Sequence, residues 1–251
     1  MSACAKLFGS SLGKKFIMAA SGLLLLVFVV GHLAGNLQIF LGPEALNRYG
    51  QFLHENVEIL WPARIGLIVL VTLHVWSAVQ LSLENKAARP VGYAGDPTPA
   101  AASYASRTML MSGLIVAAFV IYHLLHYTAD VRAVNFTGRD FSTLMDEKGR
   151  HDVYAMVVFG FEQPVVAGFY IFALALLCLH LSHGIYAMFQ SLGINAGFAP
   201  DLPKHLARWA AILIFLGYIS IPVAVLGGLG KTYVAKTTVP PVTGAEKEAV
   251  K

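Results

Sequence analysis

Six of the nine histidines in this 251-residue chain fall inside long apolar stretches: His32, His74, His123, His126, His180 and His183. An ionisable side chain is costly in an apolar setting, so its presence there marks a candidate for function. Imidazole ligates metals as a neutral group and is a common axial ligand to haem iron. Two imidazoles on one iron occupy both axial positions, leave none for oxygen, and favour electron transfer. The two cysteines, Cys4 and Cys178, supply neither a disulfide framework nor the four thiolates an iron–sulfur cluster needs. No CxxCH motif occurs, so a haem here would be held without covalent attachment.

The elements that must position these histidines are membrane helices. The chain is 57% hydrophobic and only 13% charged, too few charges to coat a soluble protein of this length. Net charge is +4, but the basic residues flank apolar blocks, where they act as topology signals and headgroup contacts, so nucleic acid is set aside. Five blocks are long enough to span a bilayer: 16–41, 60–83, 108–128, 163–189 and 206–230. The first is too long for a signal peptide and has no convincing cleavage site, so it reads as a retained helix. The expected fold is an all-α integral membrane bundle of five helices over 16–230. A short N-terminal segment, 1–15, precedes it, and a polar, loosely ordered tail, 231–251, follows. No period suggests a repeat, and no spanning block shows the charge pairs or Pro/Gly breaks typical of a transporter.

Depth sorts the histidines, because a helix rises about 1.5 Å per residue. Measured from the start of each block, His32 and His123 lie roughly 24 and 22 Å above one face. His74 and His180 lie roughly 21 and 25 Å below the other. Two levels with two histidines each, on four different helices, form the pattern of two bis-histidine haems stacked across a bilayer. Any one of them could instead make an interhelical hydrogen bond; the pairing in depth favours ligation. His126 and His183 sit three residues beyond better candidates, on nearly the same face, as alternative ligands or supporting partners. His54, His151 and His205 read as interfacial.

Small residues near the candidates (Gly31, Ala34, Gly35, Ser182, Gly184) would admit a flat macrocycle. Glu58, just before the second block, is either a solvated carboxylate or a proton acceptor for a quinol. Arg107, before the third, is either a snorkelling anchor or a partner for a haem propionate. The stretch 227–232, GGLGKT, misses the phosphate-loop spacing because Val225 stands where glycine is required, and reads as a helix end. Lys and Arg number eight on the N-terminal side and ten on the other. Without the tail and the long charged segment the tally is eight against two, which favours a cytoplasmic N-terminus.

The stretches VGHLAGNLQIFLG, LHVWSAVQL, YHLLHY, HDVYAMVV and LHLSHGIYAMFQSLG resemble the two-haem cytochrome b anchor of succinate dehydrogenase and fumarate reductase, the membrane part of complex II. The resemblance covers about 16–230. It implies two b haems with axial ligands His32 and His123 (distal) and His74 and His180 (proximal). It also implies docked flavoprotein and iron–sulfur subunits, menaquinone as membrane substrate, and a bacterial cytoplasmic membrane. The chain alone would not act on succinate, since it has no soluble domain for flavin, clusters or a dicarboxylate. One position departs: where some members carry a glutamate two residues before the fourth-helix ligand, this chain has Cys178. That puts a transmembrane proton route through such a carboxylate in doubt. Two other readings stand beside it. One is a cytochrome b anchor for a hydrogenase or formate dehydrogenase. The other is a membrane di-iron oxygenase built on HLLH and HLSH, which needs its histidines at a single depth.

Overall fold

The computed structural model describes residues 3–88, 108–194 and 201–237. A short helix, α1 (Ala3–Gly9), leads into α2 (Ser11–Asn36), whose N-terminus is capped by the Ser10 hydroxyl accepting from the Gly13 N–H. A tight 3₁₀ turn over Leu37–Leu41 ends it. Gly42, at φ 97°, adopts a backbone that only glycine takes readily, and Pro43 then opens α3 (Pro43–Glu55). The remaining helices are α4 (Val57–Ala87), α5 (Met109–Tyr127), α6 (Val153–Phe161), α7 (Pro164–Ser191), α8 (Leu202–Leu226) and α9 (Lys231–Thr237).

Five of these helical segments are long and apolar enough to cross a membrane: Ser11–Leu41, α4, α5, α7 and α8. The chain is a multi-pass membrane protein. Its flanks suit lipid: Val27 is 62% exposed, Ile68 66%, Met111 68% and Val165 81%, faces that water would not leave open. Helix α7 packs along α8 and α5, α2 packs along α4, and α2 also touches α7. Pro62 and Pro222 lie inside α4 and α8 without ending either helix.

The spans extend past the apolar blocks at the N-terminal side because polar residues there find partners. The Lys14 ammonium, almost fully buried, pairs with the Glu84 carboxylate, joining α2 to α4. At the far side, a cap closes the bundle. The charged connection after α5 folds through two 3₁₀ turns, over Arg132–Val134 and Phe141–Thr143, into α6. Every residue from Tyr154 to Phe161 is buried beneath α3, α9 and the ends of α7 and α8. The first residues of the tail are therefore helical, as α9, and packed.

The cap is fastened by polar side chains. Asn47 of α3 and Asp152, both 1% exposed, meet at 2.9 Å, with the Asn47 amide donating. The Asn47 carbonyl accepts from the Tyr154 N–H. Asp152 caps α6 by accepting from the Ala155 N–H, and it also accepts from the Tyr233 hydroxyl of α9. One carboxyl group thus ties three helices. Outside it, Arg150 bridges Asp146 and Glu44.

Candidate functional site

Four helices bring four histidines together in two pairs. His32 of α2 faces His123 of α5, ring centres 5.8 Å apart and planes at 80°. His74 of α4 faces His180 of α7, ring centres 6.2 Å apart and planes at 67°. The second pair lies nearer the N-terminal side (the near pair), the first nearer the cap (the far pair). Among the described residues no three His, Cys, Asp or Glu side chains converge as a metal cage. The histidines come as pairs, which is not the clustered set that a di-iron centre requires.

The near pair is held from behind. His74 Nδ1 lies 3.2 Å from the Met18 carbonyl and 3.3 Å from the Ser21 hydroxyl. Its Nδ1–H donates to that carbonyl, which leaves Nε2 with its lone pair free for a metal. His180 Nδ1 is buried and has no partner. Gly22 sits directly against the His74 ring and Gly113 against the His180 ring.

The far pair is framed by aromatic rings. Phe28 stacks one turn below His32 at 5.3 Å, and Phe119 stands one turn below His123 at 6.2 Å. Asn36 donates to the His32 carbonyl and keeps its amide beside the ring nitrogens. The Tyr170 hydroxyl lies 3.4 Å from His123 Nδ1 and 3.1 Å from His126 Nδ1. His126, fully buried, stacks on Tyr127 at 3.8 Å and faces Phe141 in the cap core. Its Nε2 is buried with no hydrogen-bond partner. Gly31 and Gly184, beside His32 and one turn beyond His180, have no atom within 4 Å of where a Cβ would stand. No protein-family model, curated protein or solved structure matches this chain.

The remaining candidates lie apart. Glu58 is exposed on the first turn of α4, and it is not among the ring or hydrogen-bond partners of the far pair. Arg107 lies outside the described residues. His54 and His151, ring centres 6.3 Å apart, line a surface pocket of about 310 Å³ with Glu55 and Arg150. Asp130 lies close enough that both imidazoles act on its carboxyl group. Its Oδ1 is buried without a partner and its backbone is left-handed (φ 49°). Burial raises the carboxyl above the ordinary range, and the charges of His151 and His54 oppose that rise.

One signal in the sequence finds residues that composition and depth pass over. The segment S-G-L-x4-F-V-x2-H occurs twice, at 21–32 and at 112–123. It places Ser21, Gly22, Phe28 and His32 on α2 as it places Ser112, Gly113, Phe119 and His123 on α5. The pattern recurs once over twelve residues, too short and too diluted by surrounding leucine and valine to show as a period.

Proposed function

We propose that the chain is the membrane anchor of a succinate:quinone oxidoreductase, carrying electrons between an iron–sulfur subunit and menaquinone through two b haems. The observation that carries this reading is the meeting of His32 with His123 and of His74 with His180, at two levels of one bundle. The spacing fits a shared metal. A five-membered ring has a radius of about 1.1 Å. A metal–imidazole bond is about 2.0 Å, so two rings on opposite sides of one atom stand roughly 6.2 Å apart. The measured separations are 5.8 and 6.2 Å. Open space at Gly31 and Gly184 suits a flat group at each level.

Haem held at these positions would supply a one-electron carrier at each level, without an open coordination site. The protein's part is orientation and dryness. Met18 and Ser21 fix the His74 ring from behind, while Asn36 and Tyr170 flank the far pair. Tyr218 donates its hydroxyl to the Val29 carbonyl, which holds its ring 6.4 Å from His32. The succinate partner, the flavoprotein and iron–sulfur subunits on the N-terminal side, menaquinone and a bacterial cytoplasmic membrane come from the sequence resemblance. Glu58 as proton acceptor and Arg107 as propionate partner belong to the same reading.

The test is to purify the membrane complex and quantify haem per copy of this chain with its co-purifying subunits. Two b haems per chain are expected, with one lost or made high-spin when any of His32, His74, His123 or His180 is replaced. Co-purification of flavoprotein and iron–sulfur subunits with succinate activity identifies the partner. A hydrogenase or formate dehydrogenase subunit would move the anchor to another dehydrogenase. No haem would overturn the reading.

A further inference from the structure

The repeated segment does two things on each helix. Its histidine reaches the far level, and ten residues earlier its glycine meets a histidine from the neighbouring helix at the near level. A Cβ built on Gly22 would stand 3.2 Å from His74 Cε1 and 3.5 Å from Nδ1. A Cβ built on Gly113 would stand 3.2 Å from His180 Cε1 and 3.6 Å from Nδ1. The same ring edge meets the same repeat position on both sides of the pair. At the near level α2 with α4, and α5 with α7, thus repeat one contact, a glycine of one helix against the Cε1–Nδ1 edge of a histidine on its neighbour.

We propose that Gly22 and Gly113 are positioning residues of the near-level site, two seats that set where the His74 and His180 rings stand. This rests on the haem reading above and adds the residues that tune one level alone. A glycine is required at each seat because a methyl at 3.2 Å is closer than side chains normally approach, so the ring must yield by a few tenths of an ångström. Metal–ligand distances tolerate only about ±0.2 Å, so a shift of that size reaches the metal. The two seats differ in one respect. His74 is tied to the Met18 carbonyl and cannot slide without stretching that bond, whereas His180 Nδ1 is untied. Substitution at Gly22 therefore disturbs its ring more than substitution at Gly113. The fold supplies its own control, since Gly168, exposed on the same helix as His180 and twelve residues before it, has no atom within 4 Å of where a Cβ would stand.

The experiment is low-temperature electron paramagnetic resonance and redox titration of the purified, haem-loaded complex, comparing wild type with Gly22→Ala, Gly113→Ala and Gly168→Ala. Two low-spin signals are expected in wild type. Gly22→Ala and Gly113→Ala should both shift the same one, the signal lost on replacing His74, with the larger shift at Gly22. Gly168→Ala should leave both signals in place. If Gly22→Ala does not accumulate, Gly113→Ala decides the matter, because its ring is free to adjust. Two wild-type signals with neither moved by Gly113→Ala would overturn the seats while leaving the haem reading intact. A wild-type complex without haem would overturn both.

Discussion

The cap offers the sharpest test of how the far end of the bundle is built. Asp152 accepts three hydrogen bonds, from the Asn47 amide, the Ala155 N–H and the Tyr233 hydroxyl, each 2.9 Å long. The residue is 1% exposed, so its removal in Asp152→Ala leaves three donors without that acceptor where water enters poorly. A buried donor left unpaired costs about 1–3 kcal/mol, and the lost helix cap is part of the same sum. Partial rescue lowers the total, since Asn47 also lies 3.3 Å from Asp146. The expected destabilisation is about 3–5 kcal/mol. Asp152→Asn keeps the shape and most of the accepting capacity and should cost about 1–2 kcal/mol. Hydrogen exchange on the complex in nanodiscs reads the opening of α6 directly, residue by residue over 153–161. Asn47→Ala together with Asp152→Ala should fall short of additivity by at least about 1 kcal/mol, because both remove one network. An Asp152→Ala protein whose α6 amides exchange as slowly as wild type would refute the account of the fastening, and so would full additivity.

Three further outcomes follow from the same geometry. Gly160→Ala would place a methyl 2.2 Å from the Tyr127 hydroxyl, inside the cap core. It should lower thermal stability by about 1–3 kcal/mol, measured by melting in detergent, while the isosteric Tyr127→Phe should not. The Arg150 hydrogen bond first, and Lys148 second, hold the Glu44 carboxyl down at about 2 from an ordinary 4.5. A lowered carboxyl pKa contributes stability above 4.5 that is lost as pH falls toward 2, so Glu44→Gln should flatten the acid limb of the melting profile in that window. An unchanged acid limb would count against the Arg150 contact. At the opposite end, Glu84→Gln strands the buried Lys14 ammonium, whereas Lys14→Met replaces it by a side chain of similar bulk. Glu84→Gln should therefore be the less stable of the two, and the reverse order in a melting series would show that Lys14 is not buried as a paired charge.

Much of this arrangement could be read from the sequence because a helix is a ruler. Rise per residue turns position in an apolar block into depth, and depth alone grouped His32 with His123 and His74 with His180. Depth says nothing about rotation around the helix axis. His126, one turn from His123 by sequence, therefore reads equally well as a ligand or a support. The structure stacks it on the adjacent Tyr127 and sets it against Phe141, which the chain reaches only after the turns of the connection that follows α5. The cap itself was hidden for a different reason. VYAMVVFGF is apolar but far too short to span, and the charged residues before it, Asp146 to Asp152, look solvated until Asn47 and Arg150 are seen to satisfy them.

The repeat shows why function-bearing residues can escape a reading by composition. In a lipid-facing helix most positions need only be apolar, so leucine, valine and alanine interchange freely and erase any duplication at those sites. Six of the twelve positions are identical between the two segments: Ser21 with Ser112, Gly22 with Gly113, Leu23 with Leu114, Phe28 with Phe119, Val29 with Val120 and His32 with His123. In each copy the glycine, the phenylalanine and the histidine all touch or belong to the paired imidazoles. The glycine and the histidine thus recur at the two levels where the histidines meet, where space beside an imidazole, and not apolarity alone, decides what a position can hold.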